Sequence, residues 1–495
     1  MALRGMLGAM LIGGGVGLGA APAHASGLST ARFGGERGTP MDVNATSIFY
    51  NPGALGMLSG VDLFLDVNVA WRTANYERAA PPGCGRGADA STCTVPQEVP
   101  EPIDAPPGGN NGTASLFNVA AAPMVGAAAG GNISEDVRLA GGLSFFVPFG
   151  GQSSWDGNDD FRDNPRYPGP VDGVQRWYSI DGVLRALYAS AAFAVGFSDY
   201  VSVGISGGVA ITQVQTVRAR VLDGSNSIPL EGRTLIDTSS LDAHLGGGVL
   251  VTPFGNQDLR IGLSYQAPTG FSGAITDGTL STRNAGSTEE NVNEVDFQVN
   301  WPDIIRLGVG WRASQRWELR LFGDFTRWSL FQDNCLVNTE RVWANQTCQI
   351  NDDGTVDTSG GDNIDSNDVI VNIPRRWNDA FAIRAGASYW VIPEVELQLG
   401  VGYDSNAIPD RTLGPDLLDF HDISLALGGK FQLIEGLFAS LAYTQFFYIP
   451  RDTTGSSETN LFASPSAQPS AAGNYSQNIG VINAYLQAQF DPFSN

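Results

Sequence analysis

The sequence predicts an all-β protein, a 14-stranded antiparallel transmembrane barrel with an N-terminal plug, or hatch, inside its lumen. Three observations lead there. From about residue 61 to residue 490, strand-like segments are joined alternately by very short turns and long polar loops. Within the segments, apolar and polar residues alternate with a period of two. Beyond the extreme N-terminus, no uninterrupted apolar run has the length that a spanning helix needs. The rest of the chain can therefore cross a bilayer only as closed β-structure, in which every backbone group is paired.

The N-terminus reads as a secretory signal peptide over residues 1–25. Arg4 precedes a small and apolar run from Gly5 to Ala21, and Ala23-His24-Ala25 is an A-x-A cleavage site. Residues 26–60 follow, rich in glycine and small residues and without alternation. Ile48, Phe49, Tyr50, Leu55 and Leu58 make this segment too apolar to stay solvated, and its irregularity keeps it from adding a strand. It is expected inside the barrel of residues 61–495, with Asn51 and Pro52 against the wall near the third strand.

The tight joints include Gly131-Asn132-Ile133-Ser134, Phe197-Ser198-Asp199-Tyr200, Ala313-Ser314-Gln315-Arg316 and Ile392-Pro393. Long connections fall around residues 72–114, 150–175, 222–238, 268–290, 329–378, 404–420 and 449–477. Short turns on the periplasmic side and long loops outside are the pattern of an outer-membrane barrel. Trp317, Leu319, Leu321 and Phe325 share one strand face, opposite Glu318, Arg320 and Asp324. Val395, Leu397, Leu399 and Val401 likewise oppose Glu396 and Gln398, and Ile423, Leu425 and Leu427 oppose Asp422, Ser424 and Lys430. A charge facing hydrocarbon at mid-depth costs about 2 to 4 kcal/mol, so the polar face lines the lumen. Pro302 lies in the stretch Glu294 to Arg312, which must form one strand with a bulge if the count is to stay even and both termini periplasmic. The last strand, Ile479 to Phe490, carries Ile482, Ala484, Leu486, Ala488 and Phe490 on one face, similar to the signature that such barrels present to the barrel assembly machinery.

Cys84 with Cys93, and Cys335 with Cys348, form two local pairs in long loops, which in an exported chain read as disulfides. Neither pair has the spacing or nearby histidines of a zinc site. The formal net charge of -23 argues against nucleic acid as a partner. Asn351-Asp352-Asp353-Gly354 is acidic but lacks the ligand spacing of a calcium loop, so neither a metal nor another cofactor is expected.

Asp42 to Leu55 ends in Ile48-Phe49-Tyr50-Asn51-Pro52-Gly53-Ala54, and here the chain resembles the FadL/TodX (OMPP1) family of outer-membrane transport proteins for hydrophobic compounds, whose hatch carries an Asn-Pro-Ala motif. Gly53 departs from that motif. Val147-Pro148-Phe149-Gly150, Trp301-Pro302 with Arg306-Leu307-Gly308, Asp324 to Trp328, and Tyr403-Asp404 with Pro409 extend the resemblance in order along the chain. It implies a monomer in the bacterial outer membrane, among outer-membrane lipid and lipopolysaccharide. It also implies passive, hatch-gated passage of long-chain fatty acids or similar lipids sideways through the wall. An aromatic hydrocarbon as cargo and a general diffusion porin are the alternatives. Asn51, Pro52 and Gly53 would then be the gating motif, with Ile48, Phe49 and Tyr50 contacting ligand. The opening would lie beside a kinked third strand carrying Gly141 and Gly142.

Arg138, Arg260, Arg306, Arg320, Arg384 and Lys430 alternate toward the lumen. Any of them could hold a carboxylate, with Arg384 and Lys430 the candidates singled out, or could pair with Glu318, Asp324, Glu396 and Asp422 to fill the barrel. No enzyme is expected, since His244 and His421 have no nucleophile motif beside them.

Overall fold

The computed structural model describes residues 32–271, 273–339, 348–359 and 367–492, so the expected signal segment and residues 26–31 lie outside it. The chain forms a closed barrel of fourteen antiparallel strands. The first six are β1 Gly60–Arg78, β2 Gly112–Asn132, β3 Val137–Ser154, β4 Asp181–Phe197, β5 Val201–Arg220 and β6 Gly232–Val251. The next four each come in two pieces. They are β7 (Leu259–Gln266, Ala274–Arg283), β8 (Asn291–Val299, Ile304–Trp311), β9 (Trp317–Thr326, Asp333–Asn338) and β10 (Val369–Pro374, Ala380–Ile392). The circuit ends with β11 Val395–Asp404, β12 Asp422–Ile434, β13 Leu437–Tyr448 with a short continuation Arg451–Asp452, and β14 Gly473–Phe490. β14 closes on β1 from Val61 opposite Phe490 to Arg78 opposite Gly473, which puts the start of β1 and the end of β14 at the rim of tight turns.

Alternation sets the two faces as the sequence predicts. Leu319, Leu321, Leu397, Leu399, Leu425 and Leu427 are exposed outward, and Glu318, Arg320, Glu396, Gln398, Asp422 and Ser424 are buried inside. Pro302, however, breaks β8 rather than bulging it. The pieces of β8 stop at Val299 and resume at Ile304, and β7, β9 and β10 are interrupted beside it. Proline supplies no ladder donor, and at this level the chain turns large rings inward. Phe149 stacks on Trp301 at 5.0 Å, Trp328 meets Trp377 at 5.0 Å, and Phe331 meets Trp377 at 4.6 Å. Trp301 Nε1 donates to Thr212 Oγ1 at 2.9 Å, so its one polar atom is satisfied within this apolar layer.

β3 leaves its neighbour partway up. It pairs with β2 from Arg138 opposite Asn132 to Phe146 opposite Met124. A bulge between Phe146 and Phe149 follows, and Phe149 to Ser154 then continue against β4. At the outer end β3 is clasped to β2 again, because Asn118 Nδ2 donates to the Ser154 carbonyl and the Ser154 N–H to Asn118 Oδ1, both at 3.2 Å. Between the clasp and the Met124–Phe146 pair the ladder is open. Gly141 and Gly142, expected at the opening, instead sit in the regularly paired lower part, opposite Ala129 and Ala128. At least Gly142 is there for close approach, since a Cβ on it would lie 2.8 Å from Ile48 Cδ1 of the hatch.

The hatch occupies the lumen as a short helix α1, Ser47–Tyr50, followed by a 3-10 turn over Pro52–Met57. Asn51 Oδ1 accepts from the Gly53 N–H at 3.1 Å, and proline begins the turn, where its missing N–H costs nothing. Asn51 Nδ2 donates to the carbonyls of Pro40 at 2.8 Å and Val249 at 3.0 Å. Thus Asn51 rests on β6 rather than near β3. A Cβ on Gly204 would come within 2.4 Å of the Pro52 carbonyl, and one on Gly248 within 2.0 Å of Asn51 Oδ1. Two wall glycines therefore make room for the turn, and it is Ile48 that reaches β3.

Charge fixes the other end of the hatch. Glu318 Oε1 accepts from Arg37 of the hatch at 2.7 Å, from Arg260 at 2.9 Å and from Arg320 at 3.3 Å. Arg37 also donates to Glu396 Oε1 at 2.8 Å. Asp62 accepts from the Ala45 N–H at 2.9 Å. Replacing Glu318 with Gln leaves buried guanidinium groups uncompensated, a loss of about 3 to 5 kcal/mol for a buried pair. Thermal unfolding in detergent, followed by heat-modified gel mobility, should show a clearly lowered midpoint. Gly248→Val should unseat the turn while the barrel persists, read as rapid proteolytic removal of the segment before β1 with unchanged β-sheet circular dichroism.

Candidate functional site: a gap in the wall and the pocket behind it

The open ladder between β2 and β3 borders a cavity of about 800 Å3, lined on one side by Val119, Ala120 and Ala121 and on the other by Gln152, Val183 and Arg185. Its inner wall includes Val214, which faces the lumen and is buried. Behind it, a smaller cavity of about 60 Å3 shares Val183, Val214 and Gln215 with the gap. Leu184, Phe297, Val299 and Ile373 give this inner pocket apolar walls, and Arg218 supplies a buried guanidinium. Arg218 Nε has no hydrogen-bond partner, and among the described residues no carboxylate forms an ion pair with this arginine. Asp416, which lines the same pocket, is held by Arg375. A desolvated guanidinium in an apolar pocket is suited to an anionic group brought by a ligand.

Arg72 stands on the lumen side of the gap. Its Nε donates to Gln477 Oε1 at 3.1 Å and its Nη1 to the Gln152 carbonyl at 3.4 Å, a reach from β1 across to β3. At the lower edge of the gap the hatch touches the strand that leaves the ladder. Phe49 lies 4.8 Å and Phe33 6.2 Å from the Phe146 ring. Arg306 caps the other side of Phe49, its guanidinium 4.4 Å from the ring. Ile48, Phe49 and Tyr50 thus pack against the wall around Phe146, with Tyr50 donating to the Phe33 carbonyl at 3.1 Å.

The anchors singled out from the sequence are engaged with protein partners. Arg384 pairs with Asp324 at 3.1 Å and Asp404 at 2.6 Å, and Lys430 donates to Gln487 at 2.7 Å with its ammonium over the Phe438 ring. Arg138 donates to the Met57 carbonyl of the hatch at 3.1 Å. Arg218 went unnoticed although the period of two that placed Arg384 inside places it inside as well. The missing signal was the distribution of acids, which lie on β1, β9, β11 and β12 and leave Arg218 without an ion-pair partner among the described residues. Cys84–Cys93 and Cys335–Cys348 are disulfides as expected. The acidic turn at Asn351 is occupied internally, Asp353 Oδ1 accepting from the Thr355 hydroxyl at 2.6 Å.

Comparison with known proteins agrees with this architecture. A FadL homologue from Pseudomonas aeruginosa has a similar structure, with a TM-score of 0.70 at 16% identity over 94% of this chain and 100% of that one. The P. putida toluene transporter TodX aligns with a TM-score of 0.58 at 12% identity over 93% and 99%. The CymD monoaromatic hydrocarbon channel aligns with a TM-score of 0.52 at 15% identity over 91% and 94%. Among curated protein sequences none matches the chain. The family model described as outer membrane protein transport protein (OMPP1/FadL/TodX) matches residues 15–448. With that match spanning most of its length, the chain belongs to the OMPP1/FadL/TodX family of outer-membrane transport proteins.

Proposed function

We propose that this outer-membrane transport protein carries long-chain fatty acids, or similar lipids with one anionic head, passively from the outer vestibule through the wall. The observation that carries this reading is Arg218, a buried guanidinium without an ion-pair partner among the described residues, in a pocket that adjoins the open ladder. An apolar chain entering the pocket and gap gains about 25 cal/mol for each Å2 removed from water. The charged head would instead leave water at a cost, which Arg218 offsets by charge-assisted hydrogen bonds. Delivery then needs a gradient and a shift of the hatch where Phe49 meets Phe146. A neutral aromatic hydrocarbon is the second reading, favoured by the ring-lined layer of Phe149, Trp301, Trp328 and Trp377.

The two histidines among the described residues are both held in local contacts. Ser190 Oγ lies 2.9 Å from His244 Nε2, but that ring stacks on Tyr188 at 4.3 Å, and we read the pair as a packed hydrogen bond inside the wall. His421 Nδ1 is 3.0 Å from the Tyr403 hydroxyl.

Two experiments test the reading. Arg218→Leu should weaken binding of a long-chain fatty acid severalfold in detergent while leaving toluene binding unchanged. Equal binding of acid and methyl ester by the native protein would instead favour the hydrocarbon. Gating is tested by a disulfide between hatch and wall, at Ala45 and Gly126, because a Cβ on Gly126 would lie 3.2 Å from that of Ala45. Fatty-acid uptake by cells carrying A45C/G126C should fall severalfold and recover on mild reduction, relative to a native control treated identically. Undiminished uptake with the crosslink formed rules out a moving hatch.

A further inference from the structure

At the outer ends of β11, β12 and β13 the ladder sets three oxygen-bearing side chains in one row. Asp404 stands directly opposite Asp422, and Asp422 directly opposite Tyr448. Opposite residues share a face and hold their Cβ atoms about 4.5 to 5.5 Å apart, so two carboxylates and a phenol come together on the lumen side. Both aspartates are wholly buried. Like charges directly opposite one another are destabilising, and burial removes the water that would screen them.

The row is short of positive charge. Arg384, on the neighbouring β10, takes Asp324 at 3.1 Å and Asp404 Oδ1 at 2.6 Å, and Arg306 reaches Asp324 at 3.6 Å. Arg32 of the hatch is engaged by Glu36 at 3.1 Å, and Arg72 donates to Gln477 and Gln152. Asp324, Asp404 and Asp422 thus share Arg306 and Arg384, and among the described residues no ion pair reaches Asp422. Asp422 Oδ1 and Oδ2, Asp404 Oδ2 and the Tyr448 hydroxyl are all buried without a hydrogen-bond partner. An unpaired buried carboxylate is costly, and an ion that completes it removes the cost. One step toward the periplasm, Ser424 borders a cavity of about 30 Å3 together with Arg384, Thr444 and Asn483. Asn483 Oδ1 is likewise buried and unpartnered, so this polar hollow is suited to water.

We infer that Asp404, Asp422 and Tyr448 form a binding site for a hard metal cation, held by carboxylate and phenol oxygens and by water from the hollow beside them. The donor set decides the class, since oxygen ligands suit calcium, magnesium and sodium rather than metals that seek thiolate or imidazole. Among the described residues no group of three or more histidine, cysteine and acidic side chains is placed to hold a metal ion. The cation would therefore rest on two carboxylates and draw its other ligands from Tyr448 and water. The loop over residues 405–421 springs from this row, and its Asp416 and Leu417 line the inner pocket. A cation bound here would fix the base of that loop beside the pocket.

The test follows the thermal midpoint of the full protein in detergent by heat-modified gel mobility. Calcium, magnesium or sodium is added after chelation and dialysis, at fixed pH, with ionic strength held by a bulky organic cation. At least one of the three should raise the native midpoint by several degrees in a saturable way, and its identity names the ion. Asp422→Asn should remove that rise and, having lost the unmatched charge, keep a midpoint in chelator at or above the native one. Tyr448→Phe, which retains both carboxylates, should shift the half-saturating concentration upward severalfold and serves as the second variant. The exposed acidic loops are common to all three proteins, so a rise of equal size in the native protein and both variants belongs to the loops and overturns the site. No rise with any of the three ions overturns it as well. A native midpoint that then climbs on acidification to that of Asp422→Asn assigns the pair a shared proton in place of a metal.

Discussion

One carboxylate oxygen organises the inside of this barrel. Glu318 Oε1 gathers Arg37 from the hatch and Arg260 and Arg320 from the wall, and Glu396 takes the second bond from Arg37. An irregular peptide buried in a lumen has backbone groups and charges that water no longer serves. Beyond the bonds the hatch makes within itself, the wall supplies partners with side chains from distant strands. Asp62 on β1 accepts from Ala45, Ser202 on β5 donates to the Gly53 carbonyl, and Ser264 on β7 donates to the Tyr50 carbonyl. Seating the hatch therefore holds a circle of strands in register. The rings of Phe33 and Phe49 meet Phe146 without a polar contact, while Arg306 holds the Phe49 carbonyl at 3.3 Å and Asp66 the Gly34 N–H.

The charges in the lumen are segregated by role. Around β9, β11 and β12 the cations are matched by acids, as with Arg384 between Asp324 and Asp404. Toward the gap Arg72 takes the neutral Gln477 and Arg220 the Ile370 carbonyl, while Arg375 holds Asp416. The matched side gives the barrel its filling. The other side keeps unspent hydrogen-bonding capacity beside an apolar pocket, which is what an amphiphile requires.

Much of the fold was legible because alternation is a strong local signal. Trp317 to Phe325 could face lipid in only one way once Glu318 and Arg320 were placed. The even strand count also followed from the rhythm of turns. What could not be read was where a strand is interrupted by contacts across the lumen. Pro302 marked one break, but the matching interruptions in β7, β9 and β10 arise because Trp301, Trp328 and Trp377 pack together, a relation invisible along the chain. Asn51 is expected near β3 and rests on β6, since the motif encodes a local turn and the neighbouring glycines, Gly204 and Gly248, lie on strands far away in sequence. The glycines of β3 looked like a kink for the same reason. A glycine reports a close approach without naming what approaches.

The interruptions in β7 to β10 lie at the level where β3 parts from β2, and together they divide the barrel into two mechanical parts. Toward the periplasm the hydrogen-bonded ring is continuous and behaves as a stiff hoop. Toward the outside it is a split collar, jointed at Asn300–Asp303 and its neighbours and open beside β3. A load on the collar, from a loop closing over the vestibule or a ligand wedged between β2 and β3, can thus be taken up by hinging at those joints. The hoop below keeps its circumference, and the membrane stays sealed while the mouth changes shape.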